Sequence, residues 1–333
     1  MRSPDSTPLW QRFFHESIWG RRGLVKVGSL WLPLATILSL GPVQPPLWVP
    51  CAALFAAAAC RRIAGTLAND LADRADDQSA GKTRWGQTLS LSTGAVVCGA
   101  VLGAGVLALA LAHATLASVA AYLAAVALVL GYSVRPVRFK ERGVLGPLTF
   151  ALSCVFLYVV TPWVWLRGGA VCLALMGAAM FLDKWVNLHF HQVVDYEADS
   201  RQGRGTYAVR AGIERARRTL AWAAGLASLA MAALLIWLAV ELLPVWATLV
   251  AGALVLSSGV YARLARRNAH RATVLVRELP WHYLALTYTV FRILPPILFA
   301  QLALHEPMLW IVAAATGLVL VGDSWNFIRY RYR

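Results

Sequence analysis

The sequence predicts an all-α, polytopic transmembrane bundle of nine or ten spans. Three observations lead there. The 333 residues are 59% hydrophobic and only 14% charged, against about 25% charged residues in an average soluble domain. Apolar runs of about 20 residues, long enough to cross a bilayer, recur along the whole chain. Arginine and lysine gather in alternate connections between those runs, the asymmetry expected of positive-inside topology. The net charge of +15 is explained by loops on one membrane face, and no nucleic-acid partner is expected.

Taken in order, residues 1–23 are polar and basic, with Trp10, Phe13, Phe14 and Trp19 among the charges, and predict an interfacial helix on the lipid bilayer. The polar start and the late, long first apolar run predict no cleavable signal peptide. The transmembrane domain is placed at 24–325. Its spans are read as 24–40, 47–73, 89–112, 117–132, 144–163, 171–196, 220–240, 245–261, 283–304 and 308–321. Residues 326–333 form a basic tail. Between spans two and three lie Arg74, Lys82 and Arg84, and between four and five Arg135, Arg138, Lys140 and Arg142. Six arginines from Arg201 to Arg218 separate spans six and seven, and five from Arg263 to Arg277 separate eight and nine. The other connections together hold Arg167. Ten spans with both termini cytoplasmic in the cell (inner) membrane produce this alternation, and an odd count would break it. The five cysteines fall inside apolar runs without metal spacing and read as small buried hydrophobes.

Seven of the sixteen acidic residues lie in two stretches. The first is Asn69-Asp70-Leu71-Ala72-Asp73-Arg74-Ala75-Asp76-Asp77, closed by Gly81-Lys82. The second is His191-Gln192-Val193-Val194-Asp195-Tyr196-Glu197-Ala198-Asp199, closed by Gly203-Arg204. Asp195, Asp199 and Gly203 each follow Asp73, Asp77 and Gly81 by 122 residues, an internal repeat of one chemical unit. Spans two and six run in the same direction, so both stretches end their helices on the cytoplasmic side. Asn69, Asp73 and Asp77 drift about 80° over two steps of four and share a helix face; His191, Asp195 and Asp199 do the same.

Carboxylates at a membrane helix end are costly unless paired or metal-bound, and several on one face repel each other. A divalent cation removes the repulsion. Mg²⁺ takes oxygen ligands and keeps sites for water and substrate phosphate. Two facing clusters suit Mg²⁺ ions around one diphosphate, where the metals would stabilise the charge of a diphosphate leaving an allylic carbon. Basic residues after each cluster would grip the phosphate oxygens, and the apolar bundle would shield a carbocation from water. The alternatives are a loop face paired with arginines and an ion-coupled transporter. The match of the two clusters and the parallel, helix-end position of the acids speak against both.

These residues resemble the UbiA-type intramembrane prenyltransferase superfamily. Asn69, Asp70, Asp73 and Asp77 fit its NDxxDxxxD motif, and Asp195 and Asp199 its DxxxD motif, followed by a glycine-rich, basic segment ending at Thr206. Arg62-Ile63-Ala64-Gly65 and the loop from Tyr132 to Lys140 are similar to weaker family features. The resemblance implies a helical bundle around a central cavity, usually of nine spans, and Mg²⁺-dependent prenyl transfer from a prenyl diphosphate to a small-molecule acceptor, aromatic or lipid-like. Two departures set the chain apart. Lys82-Thr83-Arg84-Trp85-Gly86 stands where many members carry a segment ending Arg-Pro-Leu, and His191 stands where an aromatic or acidic residue is common.

On this reading Asn69, Asp70, Asp73, Asp77, Asp195 and Asp199 hold metal. Asp73, Asp195 and His191 are the catalytic candidates, and Arg62, Lys82, Lys140 and Arg204 bind substrate. Arg62 suits the diphosphate or an acidic acceptor, against a structural pair with a neighbouring helix. His191 suits three roles: a diphosphate contact, a proton acceptor, or a satisfied core histidine. A terpene cyclase of the same superfamily is the competing activity.

Overall fold

The computed structural model describes residues 24–41, 46–79, 84–267 and 278–329. The predicted interfacial segment 1–23, Gly81 and Lys82, and the last four residues of the tail lie outside them. Among the described residues the regular structure is helical. A buried amide or carbonyl in lipid has no water to pair with, so each apolar run closes its hydrogen bonds within itself.

Ten apolar helices lie among the described residues. They are α1 (Trp31–Leu40, entered through a 3₁₀ turn at Leu24–Leu30), α2 (Trp48–Ala72), α3 (Leu91–Leu111), α4 (Leu116–Ser133), α5 (Leu145–Leu166), α6 (Ala170–Val194), α7 (Ile213–Glu241), α8 (Val245–Arg267), α9 (Trp281–Ala303) and α10 (Leu309–Arg329). Seven are long and apolar enough to span a membrane on length and composition; the apolar stretches of α1, α8 and α10 are shorter. α3 and α4 begin at Ser90 and Thr115, whose hydroxyls accept from the backbone N–H of Thr93 and Ser118, as N-caps do.

α2 packs against α3 and α4, α4 against α5, α5 against α6, α6 against α7, and α9 against α7, α8 and α10. α1 lies inside this ring, touching α5, α6 and α9, and its residues Leu32 to Leu38 are all buried. Trp31 at its start stacks on Phe55 of α2 at 5.4 Å and meets Phe299 of α9 edge-on at 5.8 Å. α3 instead exposes Leu91, Val96, Leu107 and Leu111, the outward face expected of a helix bathed in lipid tails.

α5 and α9 each loosen into a π segment, at Phe156–Val160 and Thr289–Ile293. Each precedes a proline: Pro162 in α5, and Pro295 with Pro296 in α9. Proline has no N–H for the carbonyl four residues back. For Pro295 that carbonyl belongs to Phe291, and the Arg292 guanidinium fills it at 3.1 Å.

The 122-residue repeat is a repeat of structure. α2 and α6 are both 25 residues long, and each breaks at the matched aspartate, Asp73 or Asp195, with nearly the same backbone angles. Each is followed by a six-residue helix, Arg74–Ser79 and Tyr196–Arg201. The next short helices begin at Trp85 and Tyr207, and α3 and α7 begin at Leu91 and Ile213, again 122 apart.

Candidate functional site

The repeat brings the two acidic helix ends to one end of the bundle. A cavity of about 170 Å³ opens between them, lined by Asn69 and Asp73 of the first stretch and His191, Gln192, Asp195 and Asp199 of the second. Tyr132 and Leu188 form its inner wall, and Lys140, Glu141, Arg204 and Thr206 its rim.

The rim is built from two loops that hold each other. The backbone N–H of Gly143 donates to the carbonyl of Gly205 at 3.1 Å, and Arg210 Nη2 donates to the carbonyl of Glu141 at 2.9 Å. Gly143 and Thr206 form a β-bridge. Gly143 has φ of +61°, open to glycine without strain. A Cβ on Gly205 would lie 2.4 Å from the carbonyl oxygen of Glu141, so only glycine allows this approach.

The first stretch is already charge-compensated. Arg138, 5% exposed, places Nη2 at 3.1 Å from Asp73 Oδ1, 2.7 Å from Asp76 Oδ2 and 2.8 Å from Glu141 Oε1. Lys140 Nζ reaches Asp73 Oδ1 at 2.5 Å and Asn69 Oδ1 at 3.1 Å. Burial pushes the Lys140 ammonium below the usual lysine range, with Asp73 pulling the other way. Burial also lowers Arg138, but its hydrogen bond to Asp76 and the charges of Glu141 and Asp73 outweigh this and raise it. Asp77 turns away from the cavity, accepting from Gln87 Nε2 at 3.1 Å, with Arg84 Nε at 3.6 Å. Asp70 is fully buried and stands beneath Gly86, outside the cavity lining.

The second stretch is more open. Asp195 and His191 are exposed at the mouth. Asp199 is buried, with Arg204 Nη1 at 3.5 Å and the Arg204 N–H donating to its carbonyl at 2.9 Å. His189 points elsewhere: its Nε2 is 3.4 Å from Thr219 Oγ1, and its ring meets Tyr207 edge-on at 4.9 Å.

Of the sequence-derived site residues, the cavity thus gathers Asn69, Asp73, Lys140, His191, Asp195, Asp199 and Arg204. It does not gather Asp70, Asp77 or Arg62, although Arg62 shares a helix face with Asn69, seven residues on. Sequence reasoning gave no site role to Arg138, Glu141 or Gln192. One signal was available: Gln192 follows Asp70 by the repeat interval.

Deeper in α6, Asp183 and Lys184 form a local pair at 2.7 Å. Asp183 Oδ1 also accepts from Tyr283 at 3.0 Å, and Lys184 lies 5.3 Å from the Phe291 ring centroid. On α2 the buried Arg61 donates to Ser153 of α5.

Among the described residues no three histidine, cysteine or acidic side chains close tightly enough to cage a metal by themselves. The oxygens of Asn69, Asp73, Asp195 and Asp199 instead surround a shared space, and two further buried oxygens there, Gln192 Oε1 and Thr206 Oγ1, have no hydrogen-bond partner. An all-oxygen, incomplete donor set fits Mg²⁺, which leaves positions for water and phosphate.

The architecture is that of an integral-membrane helical protein carrying an acidic, base-rimmed cavity at one end of its bundle. The chain belongs to the UbiA prenyltransferase family, whose model matches residues 29–277. Comparison with curated protein sequences gives no significant match. Among solved structures, the chain is similar to a UbiA homologue from Archaeoglobus fulgidus bound to GPP and Mg²⁺, at TM-score 0.56 and 15% identity, covering 93% of this chain and 99% of that one. The same homologue bound to DMAPP and Mg²⁺ gives 0.57 and 17%, covering 90% and 98%. A UbiA homologue from Aeropyrum pernix K1 gives 0.57 and 18%, covering 80% and 97%. At these identities the likeness is one of fold.

Proposed function

We propose that this chain transfers a prenyl group from a prenyl diphosphate to an aromatic or lipid-like acceptor within the membrane, using Mg²⁺. The observation that carries the reading is the convergence of Asn69, Asp73, Asp195 and Asp199 on one cavity rimmed by Lys140 and Arg204. Family membership and the GPP, DMAPP and Mg²⁺ bound by the Archaeoglobus homologue support it. Asp73, Asp195 and Asp199, with Asn69, would hold the metal. When bound, Mg²⁺ would neutralise the charge that develops on the departing diphosphate.

The chain's own residues do the rest. Lys140 and Arg204 pass from carboxylates to phosphate oxygens, where charge-assisted hydrogen bonds hold the leaving group. Arg138 stays with Asp76 and Glu141 and keeps the rim loop seated. Tyr132 and Leu188 close the inner wall and exclude water from the allylic carbon. His191, at the mouth, is placed to contact the diphosphate or accept the acceptor's proton. Arg62, Asp70 and Asp77, which stand outside the lining, and Lys82, outside the described residues, are the further candidates for substrate or metal contacts. We place the cavity on the cytoplasmic side of the cell membrane, with both termini on that side, because the arginine-rich connections lie there.

The test is pyrophosphate release by the purified protein in detergent with geranyl, farnesyl and geranylgeranyl diphosphate, with and without Mg²⁺, and with and without an aromatic and lipid acceptor panel. Mg²⁺-dependent release that needs an acceptor is expected. A cyclic hydrocarbon as main product without acceptor would replace transfer by cyclisation. No release under any condition would remove the enzymatic reading.

A further inference from the structure

Of the two cavity-lining residues with an unpartnered buried oxygen, Gln192 and Thr206, Gln192 is the one on the metal-binding helix end itself. It is 6% exposed, it lines the cavity beside Asp195 and Asp199, and its Oε1 has no hydrogen-bond partner. Buried polar atoms in folded proteins are nearly all paired, so this oxygen marks a missing contact. Asn69, the other amide here, is already engaged by Lys140 Nζ at 3.1 Å and Ser133 Oγ at 3.2 Å.

The repeat sharpens the point. The counterpart of Gln192 in the first half is Asp70, a carboxylate turned beneath Gly86 and away from the cavity. The two halves therefore differ at this register: a carboxylate packed outside the cavity in one, a neutral amide facing it in the other. Gln192 precedes Asp195 by three residues, so the two side chains neighbour each other on one helical turn. An amide oxygen is a hard, uncharged ligand of the kind Mg²⁺ and Ca²⁺ accept. It adds a donor without adding to the repulsion among the carboxylates.

We infer that Gln192 is a ligand of the metal site, its amide oxygen completing the oxygen shell of the divalent cation held by Asp195 and Asp199. The inference rests on the proposed function, and its test separates the two. The full-length protein in detergent is titrated with Mn²⁺ in the presence of inorganic pyrophosphate, and free Mn²⁺ is counted by electron paramagnetic resonance. Gln192→Met keeps length and bulk and removes the oxygen. It should weaken Mn²⁺ binding by about ten- to a hundredfold, the scale on which metal-site supporting groups act, with an unchanged thermal midpoint. Gln192→Glu keeps the oxygen and adds charge, and should bind Mn²⁺ at least as tightly as the parent. Parent-like binding by Gln192→Met overturns the inference and leaves the prenyltransferase reading standing. Should Gln192→Met not fold, weakened binding by Gln192→Glu overturns it alone. Failure of the parent to bind Mn²⁺ with pyrophosphate removes the site reading and this inference with it.

Discussion

Asp73 is the most constrained carboxylate of the site. Two cations hold it, and it is 7% exposed. Asp195, its repeat counterpart, is exposed and forms no salt bridge among the described residues. The same substitution should therefore separate stability from chemistry. Both Asp73→Asn and Asp195→Asn should abolish pyrophosphate release. Only Asp73→Asn should also lower the thermal midpoint, because it leaves Lys140 without its buried carboxylate partner. Equal midpoints for the two variants would contradict this account of Asp73. Lys140→Met should lower turnover by roughly 10²-fold, the scale of removing one aimed cationic or hydrogen-bonding group, and it should free Asp73 for metal. Mn²⁺ affinity in the absence of diphosphate should then rise while activity falls. The carboxylates were legible in sequence because their spacing repeats, and Lys140 because it closes the basic loop from Tyr132 that resembles the family's. In the sequence Arg138 is one more loop arginine. Its burial depends on a left-handed turn at its own position, φ +40°, which residue order does not announce.

At the scale of elements, α2 and α6 were legible because a period of four ran from apolar helix into acidic end. Their shared break at Asp73 and Asp195 was not, since nothing in composition separates a continued helix from one that stops and restarts. The joined rim loops were also invisible, being made by backbone groups 62 residues apart, from Gly143 to Gly205. They carry a prediction. Gly205→Ala must push a Cβ against the Glu141 carbonyl, and backbone cannot yield as a side-chain tip does. The loops should part, raising KM for the prenyl diphosphate severalfold while the helices hold; circular dichroism of the same preparation checks the latter. An unchanged KM would show that the rim does not need to stay shut.

At the scale of the whole molecule, the ten apolar segments expected from the basic connections are present among the described residues, seven of them long enough to cross a membrane. What sequence did not reveal is their rank. α1, one of the shortest, is the most enclosed, while the long α3 faces outward. Hydropathy measures a run's length and greasiness; whether it faces lipid or other helices depends on partners far along the chain. An even number of crossings puts both ends of the chain on one side. Single cysteines introduced near residues 5 and 331 of a cysteine-free variant should be labelled by a membrane-impermeant maleimide from the same face of oriented vesicles. Labelling from opposite faces would mean that one of α1, α8 or α10 does not cross.

The matched 25-residue helices have one more consequence. The chain behaves as two sister arms fused end to end, each offering one helix tip to a common substrate space. A fused pair is released from the symmetry that binds two identical subunits. One arm here has become the anchored one, its carboxylates shielded by Arg138, Lys140 and Arg84, while the other has kept its aspartate bare beside a histidine and an amide. Such a molecule supplies its own control for every substitution. A change in one arm can be repeated 122 residues away, and the difference between the two results measures how far the sisters have diverged.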